Sequence, residues 1–420
     1  MAHIEDRWFK PRKDADGHFV LDAKGRKVLE PTSRHRKGDR YRVRYVDPFG
    51  NEKSRSFPDG RKRAADAFLV EVESTKMRGA YVDPDAGRVM FREYAENFIR
   101  THAVDESTRQ NLESRVRKHL YPYFGHRQIK AISPGVVREW NHEGADGLAD
   151  SSHGLVFASL KLILGAAVDD GRIPKNPCLA KSVKKPRVQA TQVVPWEFAR
   201  VRAVRAGLEE RFRLMVDVGA GCGLRQGEIF GLAADDIDTE AGWIHVRRQV
   251  KLIRGGLAFG LPKNDRERRI PLSATIGRAL LDYMATARYE PAEITLPWEN
   301  PASDETRTAS LVFTTKWRRA HNRNTFNHYI WRPALTAAGV VPGRTNGMHA
   351  LRHFYASALL DAGENIKALS AYLGHHDPGF TLRTYTHLMP ASEDRTRRAI
   401  EQLFSETPDR DGPGTAPEAA

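Results

Sequence analysis

Apolar and basic side chains alternate along Tyr41-Arg-Val-Arg-Tyr-Val46 with the two-residue period of a strand. The turn formers of Asp47-Pro-Phe-Gly50 follow, and Glu52 to Phe57 alternates again, so the pattern predicts a hairpin with a basic face carrying Arg42, Arg44, Lys53 and Arg55. From Arg61 to about Met77 the period changes: Ala64, Ala65, Phe68, Leu69 and Val72 recur at helical spacing, which predicts a helix packed on that sheet. The first 38 residues, with Gly17, Gly25 and a basic run at Arg34 to Lys37, either add a strand or stay partly disordered. Nothing in this pattern separates a DNA-binding face from a merely solvated one.

Residues about 88 to 180 read as helical throughout. Phe91, Tyr94, Ala95, Phe98 and Ile99 form one amphipathic stripe, Ser107-Thr108 opens a helix bearing Leu112, Val116 and Leu120, and Ser133-Pro134 caps a third. A fourth runs from Ser152 through Leu155, Leu160, Leu162, Ile163 and Leu164 to Val168. Four helices with short breaks make a bundle, which by itself is more often a plain structural unit than a DNA clamp. Lys181 to Pro195 loses all apolar periodicity and carries Lys181, Lys184, Lys185 and Arg187, the signature of a basic linker. After Phe404 the Pro, Gly, Asp and Ala-rich tail predicts disorder. The fold class expected is therefore multidomain and mainly α with small β-sheets, divided as 1–85, 88–180, linker 181–195, 196–404 and tail 405–420.

The chain has 420 residues and a formal net charge of +14, enough length for two or three cores and a balance that favours polyanions. Charge alone fits an anionic membrane surface as well as nucleic acid. Cys178 and Cys222 lack metal-ligand spacing and read as reduced packing residues. The N-terminus has no signal-peptide core and no run approaches the roughly 20 apolar residues of a membrane span, so a cytoplasmic protein is expected.

The chemistry concentrates after residue 220. Arg225 follows a glycine-punctuated turn, Lys263 and Lys251 lie in a strand-rich stretch, His349 and Arg352 stand one helical turn apart, His375 follows a helix-stopping glycine, and Tyr385 comes ten residues later. A transferring phosphoryl group spreads charge over its non-bridging oxygens, and two guanidinium forks match that distribution; a phenol beside them can be the nucleophile. Rival readings remain at this point. The glycines of 219 to 223 could form a phosphate loop, although the Gly-Lys-Ser/Thr ending is missing. His349 and His353 have the spacing of a zinc helix, but Ala350 stands where the glutamate belongs. No carboxylate cluster for two Mg²⁺ ions is recognisable, so no metal and no cofactor are expected.

The ordered words Gly223-Leu-Arg-Gln-Gly-Glu228, His349-Ala-Leu-Arg-His353 and Leu373-Gly-His375 with Tyr385 resemble those of the tyrosine recombinase (phage integrase) family. The resemblance implies an N-terminal arm-type DNA-binding module, a helical core-binding (SAM-like) domain closing at Asn176-Pro177, and a catalytic domain. It also implies a site-specific recombinase that integrates or excises a phage or mobile element through a 3′-phosphotyrosine. Arg225 and Arg352 would hold the scissile phosphate, His349 and His375 would assist, and Tyr385 would attack. Lys263, on the family's β-hairpin, would be the general acid, although Pro262-Lys263-Asn264 lacks the flanking hydroxyls. His376 competes with His375 for its place, and His353 reads as a buried or helix-stabilising residue. Expected partners are double-stranded attachment sites, a homotetramer on DNA, a directionality factor and a host DNA-bending protein. A type IB topoisomerase-like enzyme and a catalytically silent DNA-binding protein are the alternatives.

Overall fold

The computed structural model describes residues 2–404 except 49, 80, 82, 84, 144–146, 188–192, 264–265, 376, 386–396, 398–399 and 402–403. Phe49 of the first turn, residues 188–192 of the linker, Asn264, His376 and the tail 405–420 thus lie outside the described residues. The chain folds as two compact units, Met1–Val104 with Asn111–Gln189, and Asp105–Gln110 with Ala190–Ala420.

Among the described residues, the first unit has two hydrophobic cores. In one, strands β1 (His3–Asp6), β4 (Tyr41–Val46) and β5 (Glu52–Phe57) form an antiparallel sheet in the order β1-β4-β5, while β2 (Phe9–Pro11) and β3 (Leu29–Pro31) pair separately. Tyr41, Val43 and Tyr45 are buried against Ala65, Phe68 and Val72 of helix α1 (Lys62–Met77), as the two periods require. The single basic face needs correction. Arg42 and Arg44 stand opposite Ser56 and Ser54 on the outer face, whereas Arg55 and Lys53 stand opposite Val43 and Tyr45 on the helix side. Directly opposed residues share a face, so the four cations divide between two. Arg55 lies over the Phe68 ring at 4.9 Å and Lys53 Nζ is 2.9 Å from Asp83 Oδ2.

The second core joins α2 (Phe91–Thr101), α3 (Glu106–Arg115), which continues through a wider turn at Val116–Leu120 into α4 (Tyr121–Phe124), α5 (Pro134–Glu143) and α6 (Asp150–Asp169). Asp105, two residues ahead of the expected start, opens α3 by accepting from the Thr108 amide at 3.0 Å and from both hydroxyls, Ser107 and Thr108, at 2.6 Å. Helix α6 corrects the expectation that no segment reaches membrane length: its 20 residues are long and apolar enough to span a bilayer. Val156, Phe157, Leu160, Ile163, Leu164 and Ala167 instead bury one side of it in this core, and Leu155 and Leu162 face outward. Val183 is buried in the same core, so the basic linker is anchored at its start.

In the second unit, α7 (Phe198–Ala206), α8 (Glu210–Cys222) and α9 (Gln226–Phe230) precede a sheet ordered β10-β7-β6, made of β6 (Ile237–Asp238), β7 (Trp243–Val246) and β10 (Arg268–Pro271). Strands β8 (Gln249–Ile253) and β9 (Gly256–Gly260) form a hairpin, and after α10 (Ala274–Ala285) so do β11 (Ala292–Pro297) and β12 (Thr306–Leu311). Lys263 was expected on a hairpin. It lies instead on the connection between β9 and β10, whose partners β8 and β7 belong to different sheets. Short helices α11 (Arg323–Phe326) and α12 (Arg332–Ala337) lead to α13 (His349–Asp361), α14 (Ile366–Leu373) and α15 (Pro378–Tyr385). Tyr355, Leu360, Leu369, Leu373 and Tyr385 close a small core among these last three.

Candidate active site

Two left-handed helix ends aim the key side chains. Gly223 ends α8 with φ +64° and Gly374 ends α14 with φ +62°, turning the chain to present Arg225 and His375. A Cβ on Gly223 would stand 2.4 Å from Tyr355 Cδ1, so both the dihedral and the space demand glycine there.

Arg225 is the N-cap of α9, where its own amide donates to Glu228 Oε2 at 2.8 Å and its Nη1 to Glu228 Oε1 at 2.9 Å. Arg268 on β10 approaches the same carboxylate from the other side, Nη1 to Oε1 at 2.9 Å and Nη2 to Oε2 at 2.6 Å. The Glu228 side chain is fully buried between them. Burial works to raise its pKa, but the charge and hydrogen bonds of Arg268 and the charge of Arg225 prevail and hold it at about 2. It is therefore a permanent anion that fixes two cations rather than a proton donor.

Arg352, only 1% exposed on α13, donates from Nη1 to the Gly223 carbonyl at 2.8 Å and from Nη2 to the Leu373 carbonyl. Arg225 Nη2 also donates to the Leu373 carbonyl, at 3.3 Å, so residues 127 positions apart converge on one oxygen. Burial and then Arg225 lower the Arg352 pKa to about 9, which still leaves it charged at neutral pH.

Arg352 Nη2 lies 3.1 Å from His375 Nε2, and His375 Nδ1 lies 2.7 Å from Thr381 Oγ1. A guanidinium can only donate, so Nε2 accepts, the proton sits on Nδ1, and Nδ1 donates to the threonine. His375 is neutral in this state; burial and then Arg352 and Arg225 push its pKa down to about 3. His349 is similarly pushed down to about 4 by burial, then by His353 and Arg352, with Lys263 contributing from farther off. Tyr385 is 2% exposed, and burial raises its phenol to about 12 while Arg352 and Arg225 pull the other way.

Five of the six expected catalytic side chains, Arg225, His349, Arg352, His375 and Tyr385, thus share one site. Lys263 is exposed on its connection, close enough for its charge to register at His349. Its rival Lys251 is held in an ion pair with Glu299 on the β8–β9 hairpin. Two members were missed in the sequence. Arg268 carries no motif, and His353, read as a packing residue, has Nδ1 2.8 Å from the Tyr385 hydroxyl. Its place one turn after His349 on the same helix face was the available signal. Lys181, Lys184, Lys185 and Arg187 are all exposed.

The profile of the phage integrase family matches residues 200–392, and that of the phage integrase N-terminal SAM-like domain matches residues 90–143. A tyrosine recombinase XerC-like protein of Caldanaerobacter subterraneus subsp. tengcongensis is 27% identical over 291 residues, 66% of this chain and 72% of its own. A putative prophage phiRv2 integrase of Mycobacterium tuberculosis is 24% identical over 377 residues, 86% of this chain and 94% of its own. Among solved structures, the Tn1549 transposon integrase in complex with transposon right end DNA superposes with a TM-score of 0.61 at 22% identity, over 74% of this chain and 98% of that one.

Proposed function

The chain belongs to the phage integrase family of tyrosine recombinases, enzymes that break and rejoin DNA, and from that premise we propose how its residues divide the work. Arg225 and Arg352 hold the non-bridging oxygens of the scissile phosphate, Tyr385 attacks phosphorus, and Lys263 protonates the departing 5′-oxygen. The observation that carries this reading is the meeting of Arg225 and Arg352 at the Leu373 carbonyl, with the Tyr385 phenol inside the field of both. In that arrangement a phosphate oxygen would take donors now occupied by a backbone carbonyl.

His349 and His375 assist once DNA is bound. Their pKa values are low partly because cations surround them; the negative charge of the bound phosphate offsets that field, so each ring can be protonated and donate a hydrogen bond to a non-bridging oxygen. Energy is conserved in the Tyr385–phosphate ester, and a partner strand's 5′-hydroxyl reverses the reaction to complete integration or excision. Exchange between two duplexes cuts four strands with one nucleophile per chain, so a homotetramer on paired attachment sites follows from the stoichiometry. Residues 1 to about 85 serve as an arm-type DNA module through the outer-face cations Arg42 and Arg44, while Lys53 and Arg55, on the helix side, support the sheet. Residues 88–180 are the core-binding domain, and the linker cations Lys181, Lys184, Lys185 and Arg187 contact backbone phosphate. A directionality factor and a host bending protein complete the assembly, which works in the cytoplasm at the nucleoid.

A duplex nicked just beyond the cleavage point loses its 5′-hydroxyl fragment and traps the adduct. The wild-type chain is expected to accumulate covalent protein–DNA, and Tyr385→Phe to bind the same DNA and form none. Adduct from Tyr385→Phe at wild-type yield would overturn the assignment. Relaxation of supercoils without strand exchange would favour the topoisomerase-like alternative.

A further inference from the structure

A phenol held at about 12 is ionised in only about one molecule in 10⁵ at neutral pH, so attack needs a base within reach of the hydroxyl. The nearby histidines are not equivalent. His375 already spends both ring nitrogens, on Arg352 and on Thr381. His349 meets the edge of the His353 ring at 4.6 Å between centroids. His353 Nδ1 is the nitrogen at 2.8 Å from Tyr385 Oη. With its proton on Nε2, the imidazole offers Nδ1 as the acceptor, and the phenol donates.

We infer that His353 is a catalytic residue, the base that takes the proton from Tyr385 during cleavage and returns it during rejoining. This rests on Tyr385 being the nucleophile. As the Oη–P bond forms and the P–O5′ bond breaks, the phenol proton moves to His353 Nδ1 and the 5′-oxygen takes a proton from Lys263. Rejoining runs both transfers backwards, so no further reactant is needed. The groups facing His353 are His349 and Arg352 on its own helix and Tyr385 on α15. Burial, then Arg352, lowers the His353 pKa, which keeps the lone pair free at neutral pH.

The test follows adduct formation on the nicked duplex by the full chain as wild type, Tyr385→Phe, His353→Ala and His353→Asn, across the pH range in which histidine titrates. Asparagine keeps a hydrogen-bond partner near Nδ1 but cannot hold a proton. Both His353 variants should bind DNA normally and cleave about 10²- to 10⁴-fold more slowly. Wild-type cleavage should fall on acidification as His353 protonates, and both variants should lose that limb. Added imidazole should partly restore His353→Ala. A 5′-bridging phosphorothiolate, which leaves without protonation, should rescue Lys263→Ala but neither His353 variant. His353→Asn at wild-type rate, or His353→Ala with the acidic limb intact, would overturn the assignment of the base. Adduct from Tyr385→Phe would instead overturn the nucleophile on which it rests.

Discussion

Two regions of this protein carry concentrated positive charge and handle it in opposite ways. In the active site, Arg352 is 1% exposed and the Arg268 and Arg225 side chains 7% and 19%, all locked to a buried carboxylate or to carbonyl oxygens. On the N-terminal sheet the Arg44 and Lys53 side chains are 47% and 39% exposed and lean on surface acids, Glu5 and Asp83. Buried guanidiniums lose hydration on folding and have their geometry fixed beforehand, which suits a transition state whose charge appears at one point. Exposed cations keep their hydration and flexibility, which suits a polyanion met along many phosphates. Preorganised charge should govern rate, and surface charge should govern affinity and its salt dependence.

The largest test of that contrast is Arg352→Lys. A lysine keeps the charge but not the fork that spans Gly223 and Leu373, so adduct formation should fall about 10³-fold or more with little change in DNA binding in a mobility-shift assay. A loss confined to binding would mean that the buried cage acts like the surface one. Next comes Lys263→Ala, expected to slow cleavage by about 10² to 10⁴ and to be rescued by the 5′-phosphorothiolate. An unrescued loss would move the acid elsewhere, to Lys251 first.

The catalytic words were legible because each is local: a glycine stop sets Arg225, another sets His375, and one helical turn joins His349 to Arg352. What joins distant segments was not. Arg268 completes the Glu228 site from a strand with no motif, and β1 finds β4 across 34 intervening residues, from Asp6 to Tyr41. Lys263 was misplaced because the word that resembles a hairpin spans two sheets. The split of the N-terminal cations, by contrast, was readable. Lys53 and Arg55 alternate in step with Phe57, which must face the core, and that parity puts them on the helix side.

Stability should register the buried set next. Glu228→Gln leaves Arg225 and Arg268 without their anion and should cost about 3–5 kcal/mol in denaturant unfolding. Acid should act similarly and in two stages. Between the ordinary histidine pKa and about 4 to 3, the unfolded chain binds protons that His349 and His375 refuse, so stability falls as pH falls through that window. Below the ordinary carboxylate range and towards about 2, protonation of Glu228 removes the rest of its contribution. A flat stability profile from neutral to mildly acidic pH would contradict the buried neutral histidines.

The smallest effects belong to the sheet. Arg42→Ala and Arg44→Ala should each reduce the salt slope of arm-DNA binding by about 1 without slowing core-site cleavage. Arg55→Ala should also cost about 0.5–1 kcal/mol of stability, because its guanidinium covers Phe68. Equal stability losses at Arg44 and Arg55 would erase the distinction between the two faces.

The buried cage delivers a phosphate to one phenol. Peptide mapping of the trapped protein–DNA adduct reads that phenol directly. The expected product is a 3′-phosphodeoxynucleotide on the peptide containing Tyr385. An adduct on Tyr355 or on any other side chain would contradict it.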